Sequence, residues 1–201
     1  ILQMLSWDQE TTMPSAGAVA RAGQSSSLAA LYHQKLTDSR WADLLDELDS
    51  MDLDEWSATC VREMRRKYNR ATRMPESLVR ELAKTTSLSY EAWVDARKKS
   101  NFSTFKPWLE RILELKRQEA KCLDPLTCLY DALLEDYEPG ITSADLDHLF
   151  PQLRPQITKL LKKIQESPSQ PKMDLVKGHY PRASQESFGR RVLAAIGFDW
   201  K

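Results

Sequence analysis

Glycine is scarce in this sequence, since only six of the 201 residues are glycine. Runs of β-branched residues are also scarce, whereas leucine, alanine, glutamate, lysine, arginine and glutamine dominate. Because these residues lose little rotamer freedom in a helix, the composition predicts an all-α fold rather than one built on a sheet. Hydrophobic residues make up 41% of the chain and charged residues 29%, which is typical of an ordinary globular protein.

The sequence has neither an excess of one charge nor a long apolar run. Its 29 basic and 29 acidic side chains give a formal charge of +0, which argues against broad attraction to nucleic acid or an anionic membrane. No apolar run approaches the roughly 20 residues that span a bilayer, and no signal peptide is evident. The three cysteines, Cys60, Cys122 and Cys128, lack C-x-x-C spacing. We therefore expect a cytoplasmic protein with free thiols, Cys60 being buried on an amphipathic helix.

Apolar residues recur at helical spacing along most of the chain and predict long helices joined by short polar connections. This pattern favours an extended helical array over a compact four-helix bundle, and no linker divides residues 1–201 into domains. Asp52 and Glu55 resemble a capping box that begins a strongly charged helix. A last helix over roughly residues 184–196 is expected to end at Gly197, where glycine accepts a left-handed conformation.

The clearest amphipathic stripe follows Thr142. Thr142 and Asp145 are three residues apart, a spacing that predicts a helix start. Pro151 and Pro155 interrupt the stripe, because proline lacks the N–H that a helix interior needs. They predict a kink or a split near Leu153.

Histidine is rare, which bears on metal chemistry. Only His33, His148 and His179 occur, and there is no H-E-x-x-H motif. Asp145 and His148 could share a metal from one helix face, although a capping aspartate and a surface histidine are the simpler interpretation. No cysteine has sequence surroundings that suggest a thiol nucleophile, and glycine-rich phosphate loops are absent. The basic run VREMRRKYNRATR, residues 61–73, is interpreted as a solvated helix face rather than a phosphate-binding surface.

Two compact clusters of polar and aromatic side chains remain, WDQET and DYEPG. The cluster residues considered for a site are Trp7, Asp8, Gln9, Glu10, Thr11, Tyr137, Glu138, Pro139 and Gly140. The carboxylates of Asp8 and Glu10 could carry out acid–base or metal chemistry. Equally, a tyrosine hydroxyl and a carboxylate can satisfy backbone groups exposed at a helix end. On the residues alone, the structural interpretation is favoured.

Six motifs occur in one order along the chain: LSWDQETTMP, YNRATRMP, AWVDAR, LERILELKR, YDALLEDYEPGIT and QESFGRRVLAAIGFD. Together they resemble the carboxypeptidase Taq family of zinc metallocarboxypeptidases, over nearly the whole chain. The resemblance implies a helical, neurolysin-like fold with a deep groove between lobes, and a homodimer. It also implies a hydrolase that removes single residues from peptide C-termini with broad specificity.

In that family a divalent metal, zinc or cobalt, is held by the two histidines of H-E-x-x-H and a downstream glutamate, and the motif's own glutamate is the general base. None of these residues is present here. The resemblance therefore implies no catalytic or metal-binding residue in this chain, which we expect to be one N-terminal helical lobe, inactive alone. The nine cluster residues are expected to be structural or to line the groove. The alternative is a stand-alone helical module that binds a protein or peptide.

Overall fold

The regular structure of this chain is helical. A computed structural model describes residues 1–126 and 128–199, apart from the side chain of Leu175, and within these residues no β-strand occurs. The predicted all-α fold is therefore confirmed. The helices are α1 (Leu2–Thr11), α2 (Ala18–Leu36), α3 (Arg40–Asp49), α4 (Glu55–Thr72), α5 (Glu76–Lys98), α6 (Phe102–Leu123), α7 (Leu129–Leu134), α8 (Ser143–Gln165) and α9 (Arg182–Ala195). None of these described helices has the length and apolarity needed to cross a membrane.

The chain divides by its internal contacts into two compact units, Ile1–Asp145 and Leu146–Lys201. In the first unit, α2 packs against α5 and α5 packs against α6. Helix α1 lies on α2, α3 lies on α4, and α7 lies on α6. The second unit contains most of α8 together with α9. The sequence prediction of one helical region over residues 1–201 stays a prediction.

Small side chains form much of the core of the first unit. Ala22 and Ala30 of α2 are at most 1% exposed, and Ala96 of α5 is also buried. Because alanine adds only a methyl group to the backbone, neighbouring helices can approach closely at these positions. Larger buried side chains complete the core at other contacts, and they are Leu45, Leu78, Leu115 and Leu123.

The start of α4 corrects the sequence prediction by two residues. Asp54, rather than Asp52, is the N-cap: its side chain accepts from the backbone N–H of Ser57 at 3.0 Å and from the Ser57 hydroxyl at 2.8 Å. Asp54 has extended backbone angles, φ −62° and ψ 162°, which aim its carboxylate at the free N–H groups of the first turn. Glu55 is then the first helical residue and not the reciprocal partner of Asp52.

The start of α8 confirms the predicted cap. The N–H of Thr142 donates to Asp145 Oδ2 at 2.9 Å, and the N–H of Asp145 donates to Thr142 Oγ1 at 3.2 Å. This reciprocal arrangement is a capping box with aspartate in the acidic position.

Helix α8 does not split at its two prolines, so the predicted split is wrong, whereas a kink near Leu153 stays a prediction. It runs from Ser143 to Gln165 with Pro151 and Pro155 inside it. Each proline removes one backbone hydrogen bond. Both prolines are exposed, so water can hydrate the carbonyl groups that lose their donors.

The end of α9 follows the predicted glycine signal. Gly197 has a φ of +77°, its N–H donates to the Ala194 carbonyl at 3.1 Å, and the N–H of Phe198 donates to the Leu193 carbonyl at 2.9 Å. These two bonds form a Schellman motif. The helix begins at Arg182, two residues earlier than predicted, because Pro181 precedes it as the N-cap.

Candidate functional site

The WDQET cluster lies on α1, and Asp8 is its most constrained member. Arg21 of α2 places Nη2 2.5 Å from Asp8 Oδ2 and donates through Nη1 to the Leu5 carbonyl. The Thr12 hydroxyl donates to the other Asp8 oxygen. The hydrogen bond from Thr12, and then that from Arg21, lowers the pKa of Asp8 below its ordinary value. Asp8 thus accepts hydrogen bonds as a carboxylate and joins α1 to α2.

Gln9 joins the same helix to α5. Its Nε2 donates to the Ser87 carbonyl at 2.9 Å, and the Ser87 hydroxyl donates to Gln9 Oε1 at 3.0 Å. Ser87 is 7% exposed, so this pair satisfies polar groups that water hardly reaches. The amide of Gln9 therefore holds α1 in place.

The other members of WDQET face solvent. Trp7 is 62% exposed, and Glu10 and Thr11 are exposed as well. The Thr11 hydroxyl donates to the Trp7 carbonyl at 2.6 Å within the helix. Asp8 and Glu10 are two residues apart on a helix and so point to different faces. The structure does not bring these two carboxylates together as an acid–base pair.

The DYEPG cluster follows α7. Tyr137 is 83% exposed, and Glu138 and Pro139 are exposed beside it. Gly140 has a φ of +81°, in the left-handed region that favours glycine, and its N–H donates to Glu135 Oε2 at 2.9 Å. Glu135 therefore fixes the end of the turn that presents the tyrosine.

Three arginine side chains of α4 brace this segment. Arg73 Nη1 donates to the Leu123 carbonyl at 2.6 Å, Arg70 Nη2 to the Ala132 carbonyl at 3.1 Å, and Arg66 Nη1 to the Glu135 carbonyl at 3.3 Å. Because these carbonyls lie at or near the ends of α6 and α7, the guanidinium groups satisfy acceptors that a helix terminus leaves free.

The basic run of α4 is thus not simply a solvated face, and that interpretation is wrong for these three arginines. Arg70 also places Nη2 2.9 Å from Asp136 Oδ1, and its side chain is 18% exposed. The spacing of the three residues, i, i+4 and i+7, puts them on one side of α4. The sequence shows this spacing, but it does not show which carbonyl groups lie opposite the three arginines.

A cavity of about 380 Å³ lies between α4 and the segment from Leu123 to Thr142. Arg66, Arg70 and Arg73 line one wall, and Asp131 and Glu135 are among the residues of the other. Basic and acidic groups are balanced there, and the guanidinium groups are already engaged by carbonyl and carboxylate oxygens. We therefore interpret the cavity as a consequence of the contacts by which Arg66, Arg70 and Arg73 hold the DYEPG turn.

Nothing in the described residues fits a metal ion. Among them no group of three or more histidine, cysteine, aspartate or glutamate side chains could hold one. Asp145 is occupied with Thr142 in the cap of α8, and His148 Nε2 lies 3.1 Å from the Gln152 amide nitrogen. Cys60 is exposed rather than buried, so the predicted burial of this thiol is wrong.

The two clusters occupy separate parts of the first unit. WDQET is bound to α2 and α5, and DYEPG is bound to α4. Over residues 1–126 and 128–199, no hydrogen bond or ion pair links one cluster to the other. Arg21, Ser87 and the three α4 arginines were missed from the sequence, because their partners are distant in the chain.

Known proteins are similar to this chain along nearly its whole length. It is 35% identical over 209 residues to thermostable carboxypeptidase 1 of Thermus thermophilus, covering 98% of this chain and 41% of that protein. It is 33% identical over 197 residues to thermostable carboxypeptidase 1 of Pyrococcus furiosus, covering 97% and 40%.

Solved structures show the same likeness. The BsuCP crystal structure matches with a TM-score of 0.87 at 29% identity, covering 99% of this chain and 40% of that one. The M32 carboxypeptidase from Deinococcus radiodurans R1 matches with a TM-score of 0.73 at 32% identity, with the same two coverages.

The chain spans about 40% of the length of the relatives that it matches. The family model described as carboxypeptidase Taq (M32) metallopeptidase matches residues 1–201. This match includes both clusters and the three arginines Arg66, Arg70 and Arg73, and it confirms the resemblance that the six motifs indicate. The chain belongs to the carboxypeptidase Taq (M32) metallopeptidase family.

Proposed function

We propose that these residues are part of a metal-dependent carboxypeptidase that releases single residues from the C-termini of peptides with broad specificity. One observation carries the proposal: the family model matches every residue from 1 to 201, and the relatives in that match are carboxypeptidases by name. Zinc or cobalt is the metal we propose for the whole enzyme. Its ligands would be residues outside this chain, because the sequence contains no H-E-x-x-H motif.

In this proposal the helices of the first unit shape the substrate groove. Trp7, Tyr137 and Glu138 are the cluster residues proposed to line it, since they are exposed and their side chains are not used to hold the fold. Asp8 and Gln9 have a supporting role, because their side chains bind Arg21 and Ser87. A chain limited to residues 1–201 is then inactive by itself.

The test compares two proteins purified side by side. One is this chain, and the other is the proposed longer protein that contains these residues together with an H-E-x-x-H motif. Bound metal is measured by elemental analysis, and release of the last residue is followed on a peptide with a free C-terminus. We expect metal and activity in the longer protein and neither in the 201-residue chain. Activity or stoichiometric metal in the short chain would contradict the assignment of catalysis to residues elsewhere.

We also propose a cytoplasmic homodimer. The balanced charge of the chain and its free thiols support the compartment, and the family resemblance supports the dimer. Sedimentation velocity of the longer protein tests the dimer, and cell fractionation tests the location. A monomer at micromolar concentration would contradict the first proposal without affecting the second.

A second candidate function is a helical module that binds a protein or peptide without catalysis. Helix α8 favours it, because its apolar residues are exposed in the second unit: Leu149, Phe150, Leu153, Ile157, Leu160, Leu161 and Ile164. An apolar stripe of this kind normally packs against another part of the protein or against a binding partner. The coding sequence discriminates the two candidates, since continuation into H-E-x-x-H supports the enzyme and a stop codon supports the module.

A further inference from the structure

An open cavity of about 450 Å³ lies at the turn between α5 and α6. It belongs to the AWVDAR motif and the residues just after it, which neither cluster includes. The residues that matter for its chemistry are Trp93, Ala96, Arg97, Asn101, Phe102 and Phe105. The cavity therefore combines an aromatic lining with one guanidinium group.

Two of the aromatic side chains of this cavity, Trp93 and Phe102, are exposed. Trp93 is 42% exposed and Phe102 is 61% exposed. Leaving large aromatic surface in water is unfavourable, and an apolar or aromatic ligand side chain would cover it. The surface is thus suited to a ligand that carries such a side chain.

Arg97 differs from the arginines that hold the fold. Its guanidinium carbon lies 5.8 Å from the centre of the Trp93 ring, which is a cation–π distance. In the described residues no carboxylate or carbonyl accepts from it, and Asp95 nearby pairs instead with Lys99 at 2.8 Å. The N–H groups of Arg97 therefore remain available to an anion.

The backbone around the cavity is fixed in advance. Ser100 has a φ of +50°, its N–H donates to the Arg97 carbonyl at 3.2 Å, and the N–H of Asn101 donates to the Ala96 carbonyl at 2.8 Å. The Asn101 side chain then accepts from the N–H of Ser103 and caps α6. These hydrogen bonds hold the backbone between Arg97 and Phe102 in one conformation, so less backbone ordering is needed on binding.

We propose that this cavity binds a carboxylate that lies next to an aromatic or large aliphatic side chain, as at the C-terminus of a peptide. Arg97 donates hydrogen bonds to the carboxylate, and the rings of Trp93, Phe102 and Phe105 contact the side chain. The inference goes beyond the proposed function, because it concerns binding without catalysis. Either one can therefore fail while the other stands.

The experiment uses the ¹⁵N-labelled 201-residue chain and three small probes. N-acetylphenylalanine has both recognition elements, its amide lacks the charge, and N-acetylglycine lacks the side chain. The indole N–H of Trp93, assigned with Trp93→Phe, is followed in ¹H–¹⁵N spectra during each titration. We expect a saturable shift with the first probe and an affinity about three- to fivefold lower for the amide, the range of an exposed ion pair.

Arg97→Gln and Lys98→Gln form a matched pair, since each removes one exposed positive charge from neighbouring positions of α5. Arg97→Gln should abolish the preference for the acid over the amide, and Lys98→Gln should leave it unchanged. Circular dichroism checks that each variant is folded. The comparison of acid and amide on the unaltered chain needs no variant, so the proposal stays testable if Arg97→Gln unfolds.

Three results would overturn the proposal. The acid and the amide could bind equally to the unaltered chain, which would show that no cation takes part. N-acetylglycine could bind as tightly as N-acetylphenylalanine, which would show that the aromatic rings do not contribute to binding. Finally, Lys98→Gln could reduce the preference for the acid over the amide as much as Arg97→Gln does. This would show that the preference depends on the net charge of the chain and not on Arg97.

Discussion

The guanidinium of Arg21 lies directly against the carboxylate of Asp8, with Nη2 2.5 Å from Oδ2, and this contact joins the first two helices. Arg21 is only 8% exposed, although arginine is rarely buried in proteins. Its burial is satisfied by three acceptors, the Asp8 carboxylate, the Leu5 carbonyl and the Gln24 amide oxygen at 3.1 Å. Arg21, which lies outside the WDQET motif, thus holds the motif against α2, as Ser87 holds it against α5.

Replacing Arg21 by glutamine should lower the free energy of unfolding by about 1–3 kcal/mol, because a shorter neutral side chain leaves partly buried acceptors unsatisfied. Urea denaturation followed by circular dichroism measures the change. Arg62→Gln is the matched control, since Arg62 is exposed and its one side-chain hydrogen bond among the described residues is to the Thr59 hydroxyl at 3.5 Å. Equal losses in the two variants would show that Arg21 does not anchor α1.

Local signals in the sequence predicted local structure well. The cap formed by Thr142 and Asp145 and the glycine at the end of α9 were both correct, because each depends on residues within a few positions of one another. The predicted position of the α4 N-cap was wrong by two residues, because Asp52 and Asp54 have the same side chain. Only the extended backbone of Asp54 decides between them.

Gly140 is required by the conformation of the DYEPG turn. Its φ is +81°, and a Cβ placed there would meet nothing within 4 Å, so the cost of a side chain lies in the backbone alone. Gly140→Ala should therefore destabilise the chain by about 1–2 kcal/mol. Thermal unfolding followed at 222 nm, about the wavelength of helix ellipticity, measures the effect.

Gly23→Ala is the control for this prediction. Gly23 lies within α2, and a Cβ there would also meet nothing within 4 Å. The same change should stabilise the chain at this position by about 0.5–1 kcal/mol, because alanine favours the helix. Opposite signs at the two sites support the backbone explanation, and a loss at both would contradict it.

Ser100 has the reverse problem, since a residue with a Cβ occupies a left-handed position. Its φ is +50° at the end of α5, where helices commonly have glycine. Ser100→Gly should raise the free energy of unfolding by about 0.5–1 kcal/mol by removing the strain of the Cβ. Ser27→Gly, at an exposed position inside α2, should lower it by about 0.5 kcal/mol. A loss in both variants of a urea titration would refute the strain at Ser100.

Long-range pairs were the part that the sequence could not predict. Gln9 and Ser87 are 78 residues apart, and Arg70 reaches a carbonyl 62 residues away. Helical periodicity shows which face of α4 has the arginines, but an arginine on a helix face has the same sequence pattern whether it contacts water or a carbonyl group. Only the packing of α4 beside α6 and α7 decides, and that packing depends on the whole first unit.

Asp38 offers a test of electrostatics through pH. It lies just before α3 and accepts from the Arg40 side chain, at 2.7 Å to Nη2, and from the Arg40 backbone N–H at 3.0 Å. These two bonds, the side-chain bond first, lower the pKa of Asp38 to about 2. Because the folded pKa lies below the unfolded value near 3.8, the carboxylate stabilises the fold above that value and loses this effect as the pH falls towards about 2.

Asp38→Asn removes this titration but keeps an oxygen acceptor for the Arg40 N–H. We expect the variant to be less stable than the unaltered chain at about pH 5, and the difference to shrink at about pH 2.5, because protonation has by then neutralised much of the Asp38 advantage. Urea midpoints at the two pH values measure it. Asp52→Asn is the control, since Asp52 is exposed and has no hydrogen bond or ion pair among the residues that the structure covers. A difference that stays constant between the two pH values would mean that the Arg40 contact does not stabilise the folded chain through the charge of Asp38.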